Sequence, residues 1–285
     1  NAHSLRQTAS IEMYRNRGGM RLTAASYGAL LKYPWTSSSP QGQRKFNIYQ
    51  TELSLITHIA RELGLLEIAT NHWARHPLSY LMEAADDICY LIVDIEDAYQ
   101  IRQIDHRRAL ELLADLAGDM VDPSRLKAME SKSDQLAYLR AKAIGRLVHE
   151  TVAVFQDNEN ALLAGSRDAP LLKDIPSIEK LRALREYAEK YIYISRPVVE
   201  VQIAGHRVLT GLMGIYCQAI ANTHGRDNIT HADQMLLALL PERFRKSRDS
   251  LYQKLLGVCD YIAGMTDSYA VSLYKKLTGI SLPVN

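Results

Sequence analysis

Apolar residues recur along this chain at intervals of three and four from end to end, the spacing that gathers them on one face of an α-helix. That pattern predicts helices over 2–14, 23–32, 49–63, 77–99, 106–117, 134–158, 177–190, 197–221, 231–239, 242–246 and 249–277. Strict alternation bounded by turn residues is scarce, and Tyr191-Ile192-Tyr193-Ile194 is the best strand candidate. The fold class is therefore all-α. Breakers mark surface turns at Asn16-Arg17-Gly18-Gly19, across Tyr33 to Gly42, and at Gly165 to Pro170. No fixed-period repeat, low-complexity block or long linker interrupts the pattern, so 1–285 reads as one all-α domain.

Within the predicted helix 77–99, the run from Glu83 to Asp97 separates two kinds of side chain. Ala84, Ile88, Leu91, Ile92 and Ile95 fall on one side and would seat the helix in a core. Asp86, Tyr90 and Asp94 follow one another at four-residue steps and form a stripe on the other. The pattern leaves two readings open: a solvated acidic face, or carboxylates that look into a cavity. A hard divalent cation wants such oxygen ligands, but one carboxylate from one helix does not make a site.

Composition narrows the options. At 285 residues and 47% hydrophobic content the chain can bury an ample core. A net charge of +2 gives no single-sign field for wrapping nucleic acid or binding a membrane, so any anion site must be local. Cys89, Cys217 and Cys259 are far apart and odd in number, each in an apolar helical context, which points to buried thiols in a reducing compartment. No apolar run reaches membrane-spanning length and no charged-then-apolar leader opens the sequence, so a cytoplasmic protein with no membrane partner is expected. The nine histidines are scattered and show no HExxH motif, so a self-contained zinc site is not visible. Neither a phosphate-binding glycine loop nor a serine nucleophile elbow occurs.

Other constellations each carry two readings. Lys32 ends the apolar segment before Tyr33-Pro34-Trp35, where it can cap a helix C-terminus, or it can hold polyphosphate together with Lys45. Tyr191 and Glu200 flank Pro197, a well-placed first-turn proline. They edge a buried helix, or stack on a planar base and accept its hydrogen bonds. Asp260 to Ala270 is rich in polar and small residues for a core helix and reads as structural, with Asp260 and Asp267 capping or pairing with arginine.

In their order, Asn1-Ala2 with Arg6, Leu31-Lys32-Tyr33-Pro34-Trp35, Arg75-His76-Pro77-Leu78, Glu83 to Asp97, Tyr138 to Ile144, Arg196 to Gly205, and Asp260 to Ala270 with Leu277-Thr278-Gly279 span nearly the whole chain. Through them the sequence resembles the bacterial deoxyguanosinetriphosphate triphosphohydrolases and dNTPase-like proteins of the HD-domain superfamily. The resemblance implies an HD-like multi-helix bundle that hydrolyses a dNTP, dGTP first among them, at the α-phosphorus to deoxynucleoside and intact triphosphate. It implies a divalent metal, Mg2+ or Mn2+ ahead of Fe, Co, Ni or Zn, with Asp86 as a ligand. By the same resemblance Tyr90 lines the sugar, Asp94 reaches its 3′-hydroxyl, Lys32 and Lys45 contact the triphosphate, and Tyr191 and Glu200 border the nucleoside. Arg243 would approach a phosphate or a neighbouring subunit.

One departure matters. The family's first metal histidine, its His-Asp pair and its catalytic histidine-glutamate segment lie upstream of the Asn-Ala motif, and no His-Asp dipeptide occurs in this sequence. The N-terminal part of the HD core is therefore expected to lie upstream of Asn1, and no catalytic residue is assigned here. The resemblance also implies a homo-oligomer, with a hexamer as one form. The alternative function is a non-catalytic oligomer that binds nucleotides or single-stranded DNA, with salt-dependent affinity where phosphates dominate.

Overall fold

The computed structural model of the chain describes residues 1–13, 19–225, 229–245 and 250–281, and among them it has fourteen α-helices and one two-stranded hairpin. The all-α expectation holds. Part of the predicted Asn16-Arg17-Gly18-Gly19 turn lies outside the described residues. Two compact units follow one another, Asn1–Ser195 and Arg196–Asn285, where the sequence pattern gives no reason to divide 1–285.

The first unit opens with α1 (Ala2–Arg6), which runs into a wider π turn at Gln7–Ile11; the predicted helix end at residue 14 lies outside the described residues. It continues through α2 (Ala24–Leu30) and α3 (Leu53–Glu62). These elements bury Leu5, Tyr27, Leu31, Ile48, Ile56 and Trp73 in one cluster. At its edge the buried Arg6 guanidinium meets Glu52 at 2.6 Å. A short hairpin follows, β1 (Glu67–Ala69) with β2 (His72–Trp73), turned at Asn71, whose φ of 58° is one that asparagine tolerates.

The long helix α4 (Pro77–Gln100) starts where a proline costs no hydrogen bond, and His76 Nδ1 accepts from the Leu78 amide at 3.2 Å to satisfy an orphan donor. As its pattern predicts, Ala84, Ile88, Leu91, Ile92 and Ile95 are buried. They pack with side chains of α5 (His106–Ala117), α7 (Lys132–Asp157) and α9 (Ile178–Tyr191), among them Leu113, Leu139, Leu147 and Leu184. Two short helices that periodicity misses, α6 (Pro123–Ala128) and α8 (Glu159–Leu163), link the longer ones; α6 is set by Asp122, whose side chain accepts from the amides of Ser124 and Arg125. Tyr191 to Ile194 is not a strand. Its alternation reflects the end of α9, where the amides of Ile192 and Tyr193 both donate to Ala188 O at 2.9 Å.

The second unit holds α10 (Arg196–Thr223), α11 (His231–Ala238), α12 (Glu242–Arg245), α13 (Leu251–Ala263) and α14 (Asp267–Leu277) around Leu212, Tyr216, Ile220, Phe244 and Val258. The predicted helix 249–277 is two helices. Gly264 ends the first, and Thr266 Oγ1 accepts from the Tyr269 amide at 3.3 Å to start the next. The cysteines are unbridged, but Cys89 is exposed and Cys217 and Cys259 are half-buried, so uniformly buried thiols are not what forms. Among the described residues no helix is long and apolar enough to cross a membrane.

Candidate functional site

The stripe on α4 faces away from the core of its own unit. Asp86 and Tyr90 are exposed, Tyr90 to 66%, and Asp94 is half-buried. Asp94 is the one whose orientation is fixed: the Tyr193 hydroxyl donates to its Oδ2 at 2.5 Å. Burial, then the Asp94 carboxylate itself, push the Tyr193 hydroxyl far above its usual range, so it stays a donor to that oxygen. Asp86 offers one oxygen arm to a cation. Among the described residues no three His, Cys, Asp or Glu side chains converge to hold a metal, so the described residues do not by themselves fit a divalent ion.

One turn toward the start of α4 lies a different arrangement. Glu83 sits between two cations, its Oε1 at 3.0 Å from Lys32 Nζ and its Oε2 at 2.8 Å from Arg75 Nη1. Arg75 also donates to Ser79 Oγ and Ser79 O, both at 3.2 Å, and its guanidinium lies 3.9 Å from the centre of the Tyr80 ring. Burial draws the Lys32 ammonium down, but the hydrogen bond and charge of Glu83, with Tyr33 and Asp87 behind, outweigh it and hold it above its usual range. Lys32 is thus not a helix cap: α2 closes through the Leu31 amide, which donates to Gly28 O, and the lysine side chain reaches across to α4.

These side chains line a cleft of about 320 Å³. Its walls carry Tyr33, Trp35, His72 and Tyr80 as well as three cations, Lys32, Arg75 and Arg167, against two acids, Glu83 and Asp168. Among the lining side chains alone positive charge is in excess by one, and Asp174, which pairs with Arg167, offsets it from outside the lining. The Arg167 side chain is only 8% exposed; it donates to Asn158 Oδ1 at 2.9 Å, to Pro170 O at 3.1 Å and to Asp174 Oδ2 at 2.7 Å, while the residue's own carbonyl accepts from Tyr80. Lys45 is exposed; its carbonyl accepts from Trp35 Nε1 at 2.8 Å, and its ammonium and that of Lys32 each lie 5.7 Å from the Tyr33 ring. The two lysines are therefore brought together around one aromatic ring. A smaller cleft of about 220 Å³ shares Pro170 and sets Asp87 opposite Lys173, Arg182 and Arg185.

Tyr191 does not face this cluster: its ring packs 4.8 Å from Tyr187 with Lys190 over it, and Tyr193 is the tyrosine that meets α4. In the second unit Glu200 is exposed and accepts from Arg196 Nε at 2.7 Å one turn back. Arg243, in α12, stacks its guanidinium 4.5 Å from the Phe244 ring.

Against known proteins, residues 176–276 match the phosphohydrolase-associated domain. A deoxyguanosinetriphosphate triphosphohydrolase-like protein of Pseudomonas aeruginosa is 36% identical over 292 residues, covering 99% of this chain and 66% of its own. One of the same name from Synechocystis is 33% identical, covering 99% and 65%. The chain belongs to the deoxyguanosinetriphosphate triphosphohydrolase-like family. A Yersinia pestis deoxyguanosinetriphosphate triphosphohydrolase is 29% identical, over 90% of this chain and 60% of its own. The chain thus spans somewhat under two thirds of the length of these relatives.

Sequence reading names no role for Glu83, Arg75, Arg167, Arg185 or Tyr193. Glu83 carries a usable signal, one turn ahead of Asp86–Asp87 on the same helix. The others meet the site only through the fold, Tyr193 at 99 residues from Asp94 and Arg167 at 87 from Tyr80.

Proposed function

We propose that this chain forms part of a hydrolase that cleaves a deoxynucleoside triphosphate, dGTP above all, into deoxynucleoside and intact triphosphate. Water adds at the α-phosphorus, the bond from that phosphorus to the 5′-oxygen breaks, and a proton passes to the departing 5′-oxygen. The support that carries the reading is the cation-lined cleft opening beside the helix that bears Asp86, Tyr90 and Asp94, in a chain of this family. Lys32 and Lys45, bracketing Tyr33, are suited to offset charge on the triphosphate. Asp94, steadied by Tyr193, accepts from the 3′-hydroxyl, and the exposed Tyr90 ring packs on the sugar where a 2′-hydroxyl would crowd it. A divalent cation, Mg2+ or Mn2+ first, would take Asp86 as one oxygen ligand and its other ligands from outside this sequence.

The test is Asp86→Ala in the full-length protein, with triphosphate release from dGTP and bound metal measured together. Asp86 is exposed, so the variant should fold. Turnover should fall by at least about a hundredfold, with loss of metal. Unchanged turnover and metal content would remove Asp86 from the site and the reading with it.

A further inference from the structure

The second unit contains a cavity that the hydrolytic reading does not use. It measures about 240 Å³ and is floored by the buried Ile220, Leu240 and Phe244, with Leu237 beside them. Its rim is cationic: Arg245 from α12 and Lys254 from α13, with the Thr223 hydroxyl of α10 between apolar walls. No acid lines it, and neither cation pairs with a carboxylate among the described residues. Lys254 Nζ lies 3.4 Å from His224 Nδ1, a contact that brings no carboxylate to the ammonium. Thr223 already donates to Ile220 O at 3.2 Å, so its hydroxyl oxygen keeps acceptor capacity while the two cations supply the donors.

An apolar floor under two cations that meet no carboxylate among the described residues selects a ligand with one anionic head and one apolar body. Apolar walls remove the body from water, while a carboxylate or phosphate head takes charge-assisted hydrogen bonds from Arg245 and Lys254. The volume sets the size, because pockets for drug-sized ligands run from about 300 to 1,000 Å³ and this one is smaller. We propose that this cavity is a binding site for a small amphipathic anion, a carboxylate or phosphate monoester with an apolar body the size of a medium-length alkyl chain. The site lies within residues 176–276, the segment matched by the phosphohydrolase-associated domain, and the proposal is independent of the hydrolytic reading.

Isothermal titration of the full chain with sodium octanoate and with octyl phosphate tests it, against 1-octanol, which keeps the tail without the charge, and acetate, which keeps the charge without the tail. At least one of the two amphiphiles should bind saturably at about millimolar concentration or below, and the tighter of them names the head group. Octanol and acetate should each bind about tenfold more weakly, as should the successful amphiphile to Arg245→Gln and to Lys254→Gln. Both substitutions lie at the rim, and unchanged melting temperatures would show that the variants remain folded. Absence of saturable binding by both amphiphiles, equal binding of octanol, or full affinity in the Arg245→Gln/Lys254→Gln double variant would each overturn the assignment.

Discussion

Replacing Glu83 by glutamine keeps the volume of the side chain and removes the one charge that both Lys32 and Arg75 face. The Glu83 side chain is only 10% exposed, and those of Arg75 and Lys32 are 12% and 27% exposed. Breaking a fully buried ion pair costs about 3–5 kcal/mol, most of it from the charge left behind. Here the cost should be lower. Lys32 can turn toward water, and Arg75 keeps Ser79 and the Tyr80 ring, which leaves about 2–3 kcal/mol. For a unit of this size that corresponds to a fall of about 5–10 °C in melting temperature, read by calorimetry or urea denaturation at pH 7–8. Adding Lys32→Met to Glu83→Gln should recover part of the loss, since it removes one of the stranded cations. The pH dependence has a definite sign. Lys32 is held above its ordinary 10.5 in the folded protein, so its contribution is complete below that value and disappears as pH rises through the folded value. The gap between wild type and variant should therefore be flat from neutral pH to about pH 9. A Glu83→Gln protein that melts within about a degree of wild type would refute the account of the cleft as organised around this carboxylate.

Two further outcomes follow from the same geometry. Tyr193→Phe removes the donor to Asp94 and should cost about 1–2 kcal/mol in a melt; in the full-length enzyme it should raise KM for dGTP several-fold more than it lowers kcat, because Asp94 loses its fixed orientation, and an unchanged KM would speak against Asp94 as the sugar acceptor. Burial holds His72 below its ordinary 6.5, so the unfolded chain takes up a proton first as pH falls; stability should be full above 6.5 and decline on acidification until the folded histidine also titrates, and His72→Asn should flatten that slope in pH-resolved denaturation.

Much of the architecture is legible in the sequence because α4, α5 and α7 are long and strictly amphipathic, and their apolar faces are the ones that become buried. The hairpin at Glu67–Trp73 is not, because it is too short to show alternation, and its first strand is exposed throughout. The split between α13 and α14 is written in Gly264 and Thr266, but the apolar period carries on across it and hides the cap. At the site, the stripe Asp86, Tyr90 and Asp94 follows from helix geometry alone. The cations around Glu83 do not, since Lys32, Arg75 and Arg167 come from three separate segments that only tertiary packing assembles. Tyr191 and Tyr193 are chemically alike and two apart; which one meets α4 is decided by where α9 ends.

Arg167 is anchored to a side-chain amide, a backbone carbonyl and a carboxylate, and its own carbonyl takes a fourth bond from Tyr80. The connection from Gly165 to Pro170 is thereby tied to Asn158 at the end of α7, to Asp174 ahead of α9 and to α4 through Tyr80, and its conformational freedom is surrendered when the protein folds. A molecule entering the cleft meets a wall that is already set, so discrimination there rests on fit to a rigid surface and not on closure of a loop around the guest.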